Sequence, residues 1–328
     1  MSICKISLKP VKQTAKYPDY IDSEFRKLFG SLKTNPGLPF ARQDFFAAGP
    51  MKSKGMSISG VQHKLSLKIN IDNELMITAV DGEYILKPSP EAFPHAAENE
   101  HCGMLTGKLL GINTAVCGLV SFCDGELAYI TKRFDRMGNA RIHQEDMVQG
   151  FGLRTDEKYA FSYEETGKLL NQMMNGKMAV IMEFFRRVIH AYIIGNDDMH
   201  LKNISVQKFP NNTGLYYDCL SPNYDALFTT AFSNSPNLGF FAIDLLGDEA
   251  NGIFSEKYEK YGFYTGYDFN AFGEKLGLRK KPVVNYIQNV MKQESGISHL
   301  IQNSYMPEEM KQSACRIVHE RIKALTIF

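Results

Sequence analysis

The stretch GNDDMHLKN, residues 195–203, directly follows an apolar helical pattern and gathers two adjacent carboxylates, a histidine, a lysine and two asparagines. Asp198 and Asn203 are five residues apart, which is the spacing of the phosphotransfer loop D-x-x-x-x-N. In that loop the aspartate accepts the proton of the substrate hydroxyl, and the asparagine holds a magnesium ion. A polar loop that only caps a helix is the alternative for an isolated pair of aspartates. The density of polar groups here favours catalysis.

A further oxygen ligand should follow along the chain, because magnesium prefers hard oxygen ligands and often takes one or two carboxylates. Asp225 lies twenty-two residues beyond Asn203, after the apolar run 215–217 and Pro222. This is the place where eukaryotic-type kinases carry the metal-binding aspartate of D-F-G. Asp225 is therefore predicted to be the second metal ligand.

A lysine on an early strand is the next requirement, because kinases use one to bind the α- and β-phosphates of ATP. Lys87 ends a predicted strand, Tyr84–Lys87, and has apolar neighbours. Its usual partner is an acid on the following helix, which is predicted over Ala97–Leu110. Glu98 and Glu100 both lie at the start of that helix, and Glu100 is favoured.

Residues 55–64, GMSISGVQHK, place glycines beside hydroxyl side chains just before a predicted strand. The backbone N–H groups of such a loop can lie against phosphate. The phosphate loop G-x-x-x-x-G-K-[ST] is not matched, because Val61 and Gln62 follow Gly60, and the dinucleotide pattern G-x-G-x-x-G is absent. The stretch predicts a nucleotide-contacting loop, with an exposed Ser/Gly connection as the alternative.

Composition excludes several classes of protein. The 328 residues carry 37 Lys+Arg against 36 Asp+Glu, and a formal net charge of +1 gives no bulk attraction to nucleic acid or an anionic membrane. The six cysteines form no C-x-x-C pair, so neither a zinc nor a redox motif is supported, and thinly spread thiols fit a reducing compartment. No apolar block suits a signal peptide or a membrane span, so a cytoplasmic protein is expected.

Strand patterns dominate up to about residue 134, and helical patterns dominate beyond it. Period-2 alternation predicts one strand, and two strand–turn–strand patterns predict hairpins. These patterns cover residues 64–72, then Leu75–Val80 and Tyr84–Lys87 around Asp81-Gly82, then Ala115–Phe122 and Leu127–Lys132 around Asp124-Gly125. The charged run 132–136 follows, either as a hinge that contacts adenine or as a plain linker.

Three helices are predicted in the second part of the chain. Ser162 and Glu165 match a capping box that opens a helix through Met174. Residues 182–195 carry an almost fully apolar face, and Pro307 begins a final helix that reaches Ala324. Strands are predicted in the first part of the chain and helices in the second. This order predicts an α+β protein of two lobes, over residues 1–133 and 134–328, with a ligand cleft between them.

These motifs together resemble the HipA family of bacterial Ser/Thr kinase toxins. The matching motifs run in the family's order over about residues 55–230: SISG at 57–60 and Gln62, YILKP at 84–88, Asn99-Glu100, RFDR at 133–136, HQEDM at 143–147, Gly195-Asn196 with Asp198, His200 and Lys202-Asn203, and Pro222 with Tyr224-Asp225. The short N-terminus and the SISG sequence look most like HipT, the kinase of the three-gene HipBST systems. There the separate protein HipS resembles the missing N-terminal subdomain and acts as antitoxin, beside the DNA-binding HipB.

The resemblance implies a bilobal protein-kinase-like (HipA-like) fold, with a small β-rich N-lobe and a larger helical C-lobe. It implies phosphorylation of a bacterial aminoacyl-tRNA synthetase with ATP and Mg²⁺, the tryptophanyl enzyme before the glutamyl enzyme, and growth arrest as the outcome. It implies HipS-like and HipB-like antitoxin partners, with DNA contacted through the HipB-like protein and no membrane partner.

The family's residue roles carry over by matching motifs. Asp198 would be the catalytic base, and Asn203 and Asp225 would be the magnesium ligands. Ser57 and Ser59 would be autophosphorylation sites. The residues implied in nucleotide binding are Ser57, Ser59, Gly60, Lys87, Glu100, Lys132, Phe134, His200 and Lys202, of which Lys132 and Phe134 would offer backbone groups to adenine.

Three alternative functions stay open at this point. A small-molecule phosphotransferase would use the same fold with the loop Asp-x-His-x-x-Asn, which residues 198–203 also satisfy. A nucleotide-binding regulatory module would be expected to lack the base or the metal ligands, and the chain retains them. A metal-dependent hydrolase would use His190, Asp197, Asp198 and His200, although ten residues between the histidines is not a standard ligand spacing.

Overall fold

The computed structural model describes residues 2–46, 64–138, 140–233 and 239–328. The chain divides into two compact units. Unit 1 comprises Met1–Leu105, Ala115–Phe134 and Gln302–Pro307, and unit 2 comprises Thr106–Thr114, Asp135–Ile301 and Glu308–Phe328. The domain division 1–133 and 134–328 stays a prediction.

Unit 1 contains a five-stranded antiparallel sheet with the strand order β2-β1-β3-β5-β4. Its strands are β1 (Leu65–Ile69), β2 (Leu75–Ile77), β3 (Tyr84–Pro88), β4 (Cys117–Ser121) and β5 (Leu127–Lys132). The hairpin β4–β5 around Asp124-Gly125 is confirmed, and Gly125 has the positive φ of 89° that its turn requires. The strand expected over residues 64–72 is confirmed in its first part.

The predicted hairpin between Leu75–Val80 and Tyr84–Lys87 is wrong. Strand β1 lies between β2 and β3 and pairs with both, so the chain crosses the end of β1 instead of turning back on itself. Backbone hydrogen bonds fix this crossing, from Thr78 N to Ser66 O (2.9 Å) and from Glu83 N to Leu67 O (2.8 Å). Turn residues between β2 and β3 cannot show this arrangement, because both strands pair with β1, which lies earlier in the chain.

Helices that accompany this sheet include α1 (Asp22–Phe29) and α2 (Ala96–Leu109). Helix α2 confirms the predicted helix and is followed by Gly111 at φ 76°. Helix α1 lies in a part of the chain for which no helix or strand was predicted, and it buries Phe25, Leu28 and Phe29 in the core of unit 1. Each such side chain stabilises the fold by about 1.5–3 kcal/mol when fully buried.

Helices make up most of the regular secondary structure described in the second part of the chain. They are α3 (Met147–Gly150), α4 (Tyr163–Met173), α5 (Met178–Ile194), α6 (Glu256–Tyr261), α7 (Gly266–Lys275), α8 (Lys280–Lys292), α9 (Glu294–Gln302) and α10 (Glu308–Ala324). The capping box of Ser162 and Glu165 is confirmed at the start of α4, as are the apolar helix α5 and the final helix after Pro307. Within the described ranges, no helix is long and apolar enough to cross a membrane.

Unit 2 also contains short strands that the sequence patterns did not predict. They are β6 (Arg136–Met137) paired with β7 (Ala140–Arg141), and the sheet β10-β9-β8 of Cys219–Leu220, Ser205–Lys208 and His143–Asp146. Strands β9 and β10 are antiparallel, so the residues before β9 and the residues after β10 lie at the same end of the pair. This pairing brings the loop 195–203 and the segment around Asp225 together.

Candidate active site

Helix α5 ends where the polar loop begins, and Gly195 makes this ending possible. Its backbone is left-handed (φ 64°), and a Cβ at this position would lie 2.1 Å from Thr230 Oγ1. The Gly195 carbonyl accepts hydrogen bonds from Thr229 Oγ1 (2.7 Å) and Thr230 Oγ1 (3.1 Å). A glycine is therefore required both by the backbone and by the close approach of these threonines.

Neighbouring polar side chains hold the backbone of the two aspartates. Thr229 Oγ1 accepts from the Asp197 N–H (2.8 Å), and Asn196 Oδ1 accepts from the Asp198 N–H (3.1 Å). Asn196 is buried, and its Nδ2 also lies 3.5 Å from the Asp225 carbonyl oxygen, at the limit of a hydrogen bond. One asparagine thus links the base predicted at position 198 to the metal ligand predicted at position 225.

Asn203 lies in a 3₁₀ turn, Leu201–Asn203, and its side chain folds back on the loop. Its Nδ2 donates to the Asp198 carbonyl oxygen (2.8 Å), so the amide oxygen is the atom of Asn203 suited to a cation. Asp225 has a left-handed backbone (φ 58°), which aspartate tolerates better than most residues and which is common at functional sites.

Tyr224 connects the two predicted metal ligands through their neighbours in the chain. Its hydroxyl donates to the Lys202 carbonyl oxygen (2.7 Å) and lies 2.6 Å from Ser205 Oγ. Lys202 precedes Asn203, and Tyr224 precedes Asp225, so this contact fixes the two backbones relative to each other. An amide oxygen and a carboxylate suit magnesium, which usually keeps several waters and substrate phosphates as its other ligands.

The structure does not bring together the four side chains that a metal-dependent hydrolase would use as ligands. His190 lies inside helix α5, is buried, and its Nε2 is 2.9 Å from Thr106 Oγ1. The part of the chain that the structure describes contains no group of three or more His, Cys, Asp or Glu side chains that could hold a metal ion.

Unit 1 contributes a buried ion pair. Lys87 Nζ in strand β3 lies 2.7 Å from Glu100 Oε1 in helix α2, with the two side chains 11% and 1% exposed. Lys87 Nζ also lies 5.5 Å from the centre of the Tyr129 ring. Glu98 instead contacts His95 (3.1 Å) and Ser89 Oγ (3.4 Å). Of the two acids considered from the sequence, the structure pairs Glu100 with the lysine.

The structure gives less information on the other residues that were predicted to bind the nucleotide. Ser57, Ser59 and Gly60 lie outside the described residues. Lys132 ends strand β5, and its N–H already donates to the Val116 carbonyl oxygen (2.8 Å), so its carbonyl group is the one left for adenine. Phe134 is the last residue of this part of unit 1. Their role in adenine binding stays a prediction.

Sequence reasoning missed the segment that packs on the polar loop. Tyr159 Oη donates to Asp198 Oδ1 (3.1 Å), and Tyr163 Oη donates to the Met199 carbonyl oxygen (2.7 Å). The Leu201 N–H donates to the Lys158 carbonyl oxygen (3.1 Å). These residues lie about forty positions before the loop, and no spacing pattern in the sequence connects them to it.

The protein environment shifts the pKa values of Asp198 and His200 in opposite directions. The Asp198 side chain is 55% exposed, yet desolvation by the surrounding protein raises its pKa above the ordinary 3.8, with Asp225 and Asp197 acting in the same direction. Lys158 and the Tyr159 hydroxyl oppose this rise. Burial lowers the pKa of His200 to about 4, so its imidazole is neutral at physiological pH.

These shifts predict the pH dependence of a reaction in which Asp198 is the base. We expect kcat/KM to fall as the pH is lowered through the Asp198 pKa, because a protonated carboxyl cannot accept the substrate's proton. The midpoint of this fall should lie above pH 3.8. No inflection from His200 is expected near pH 6.5, because its imidazole is already neutral there. A profile of kcat/KM at pH values where the fold is intact measures this, and a fall centred at or below pH 3.8 would contradict it.

Comparison with known proteins places this site in a family. A family model described as the HipA-like C-terminal domain matches residues 56–296. A Haemophilus influenzae protein named "Putative kinase" is 34% identical over 342 aligned residues, which cover 100% of this chain and 98% of that protein. The serine/threonine-protein kinase toxin HipA of Shewanella oneidensis is 24% identical over 258 residues, which are 72% of this chain and 54% of that protein.

Solved structures show the same fold. HipA of Shewanella oneidensis, solved with HipB and its operator DNA, superposes with a TM-score of 0.62 at 21% identity, over 82% of this chain and 64% of that one. The Helicobacter pylori proinflammatory kinase CtkA gives a TM-score of 0.54 at 14% identity, over 83% of this chain and 92% of that one. The predicted α+β, kinase-like fold is confirmed. The chain belongs to the family of HipA-like C-terminal domains.

Proposed function

We propose that this protein is an ATP- and magnesium-dependent serine/threonine protein kinase, and the toxin of a toxin–antitoxin system. The observation that carries the proposal is the network around the polar loop, in which Asn196 and Tyr224 hold Asp198, Asn203 and Asp225 as one unit. Enzymes that catalyse phosphoryl transfer use a general base beside oxygen ligands for magnesium.

The chain's own residues have distinct roles in the proposed reaction. Asp198 accepts the proton of a serine or threonine hydroxyl while the hydroxyl oxygen bonds to the γ-phosphorus of ATP. The bond between that phosphorus and the bridging oxygen breaks, ADP leaves, and the proton passes from Asp198 to water. Lys87, held by Glu100, binds the α- and β-phosphates. Asn203 and Asp225 hold magnesium, which neutralises charge on the phosphates.

The proposed substrate is a bacterial aminoacyl-tRNA synthetase, with the tryptophanyl enzyme before the glutamyl enzyme, and growth arrest follows from its phosphorylation. Ser57 and Ser59 are proposed autophosphorylation sites. HipS-like and HipB-like proteins are the proposed antitoxin partners. The HipA structure that this fold matches was solved with HipB and operator DNA, which supports a HipB-like partner here.

Phosphate transfer from γ-labelled ATP with magnesium tests the proposal. Wild-type protein and the Asp198→Asn variant are incubated alone, with tryptophanyl-tRNA synthetase and with glutamyl-tRNA synthetase. Label on the wild-type chain and on one synthetase, absent with the variant, is the expected result. Label on sugars or antibiotics but on no protein would replace this proposal with a small-molecule phosphotransferase. No label from protein shown by mass to be unphosphorylated would overturn kinase activity.

A further inference from the structure

Lys158 carries a positive charge beside the predicted base, Asp198. Among residues 2–46, 64–138, 140–233 and 239–328, no carboxylate lies within 4 Å of its Nζ, which instead lies 4.8 Å from the centre of the Tyr159 ring. The hydroxyl of that ring donates to Asp198 Oδ1 (3.1 Å), so the ammonium group lies close to the predicted base. An ammonium group in this position can bind an anion that approaches Asp198.

The segment that carries Lys158 is anchored to the same loop on both sides. The Lys158 carbonyl oxygen accepts from the Leu201 N–H (3.1 Å), and the Tyr159 hydroxyl donates to Asp198 Oδ1 (3.1 Å). The edge of the Tyr159 ring packs against His200, with 5.3 Å between the ring centroids and 76° between the planes. Backbone, hydroxyl and ring thus all fix this dipeptide against the loop.

We propose that Lys158 binds the phosphoryl group during its transfer and that Tyr159 is a positioning residue for Asp198. This inference rests on the proposed kinase function and adds two residues to its site. A phosphoryl group in transfer spreads negative charge over three oxygens, and a fixed cation stabilises that charge. Lys158 supplies such a charge from a segment outside the loop.

The Tyr159 hydroxyl acts on the geometry of the base. It donates to Oδ1 of Asp198, which leaves both lone pairs of Oδ2 for the proton of the substrate hydroxyl. Burial and the neighbouring carboxylate raise the pKa of Tyr159 to about 12, so the hydroxyl keeps its proton and remains a donor at physiological pH. No proton leaves Tyr159 during the reaction.

The Lys158→Gln variant tests the phosphoryl contact. We expect kcat to fall about 100-fold, the usual effect of removing one donor to developing negative charge. Affinity for ADP, which lacks the γ-phosphoryl group, should stay within about twofold of wild type. The matched control is Lys260→Gln, because Lys260 also precedes a tyrosine and lies 5.1 Å from the ring of Tyr261. Equal kcat values for the two variants would overturn the inference.

The Tyr159→Phe variant tests the positioning role, with Tyr261→Phe as its control. Without the hydroxyl bond, Oδ1 of Asp198 is no longer held in place, so kcat should fall about tenfold in the first variant only, while KM for ATP stays within about twofold of wild type. A kcat equal to that of Tyr261→Phe would overturn the positioning role. Wild-type protein that transfers no phosphate would instead overturn the proposed function, which separates the two failures.

Discussion

The Asp198→Asn variant is expected to lose phosphoryl transfer by about 10³-fold in kcat, while its affinity for ATP stays close to that of wild type. General-base catalysis contributes about 10²–10⁴-fold, and an amide cannot accept the proton. The substitution keeps the shape of the side chain, and an amide oxygen can still accept the bond that Tyr159 makes to Oδ1. The loss should therefore fall on the chemical step and not on the fold.

Rates with γ-labelled ATP, together with ATP titrations and thermal melting, measure these separate effects. Asp248→Asn is the matched control, because Asp248 is 64% exposed and its nearest ion-pair partner is Lys275 at 3.6 Å. The control should keep full activity. If Asp198→Asn retains kcat within tenfold of the control, Asp198 is not the base, and the role of the loop must be assigned anew.

Much of the site could be predicted because its signals are local in the chain. The five-residue spacing of Asp198 and Asn203 lies within one loop, and Gly195 marks the end of the preceding helix. The capping box before α4 involves residues three positions apart, so its hydrogen bonds are set by local backbone geometry. Patterns of this kind need no knowledge of the rest of the fold.

The features that escaped prediction depend on distant parts of the chain. Strand β8 and its partner β9 are separated by about sixty residues, and neither has enough residues to show an alternating pattern. The choice of Glu100 over Glu98 depends on which face of α2 meets strand β3, and both acids lie in the same helical turn. The contact of Tyr159 with Asp198 spans 39 residues and follows from packing alone.

Lys87→Met is expected to have two large effects, one on the stability of unit 1 and one on nucleotide binding. Removing one partner of a buried ion pair costs about 3–5 kcal/mol of unfolding free energy, because the other charge stays buried. Here the Glu100 side chain is 1% exposed and loses an ammonium group at 2.7 Å. Affinity for ATP should fall about 10- to 100-fold, since a hydrogen bond to a charged group contributes about 1.5–3 kcal/mol.

The double variant Lys87→Met/Glu100→Gln separates these two effects. It removes both charges, so denaturation followed by circular dichroism should show most of the lost unfolding free energy restored. ATP affinity should stay low, because methionine offers no donor to phosphate. Lys27→Met is the control: its pair with Glu24 has the similar distance of 2.8 Å, but Lys27 is 60% exposed, so a change of at most about 1 kcal/mol is expected. Recovery of ATP affinity in the double variant would show that Lys87 acts only as Glu100's partner.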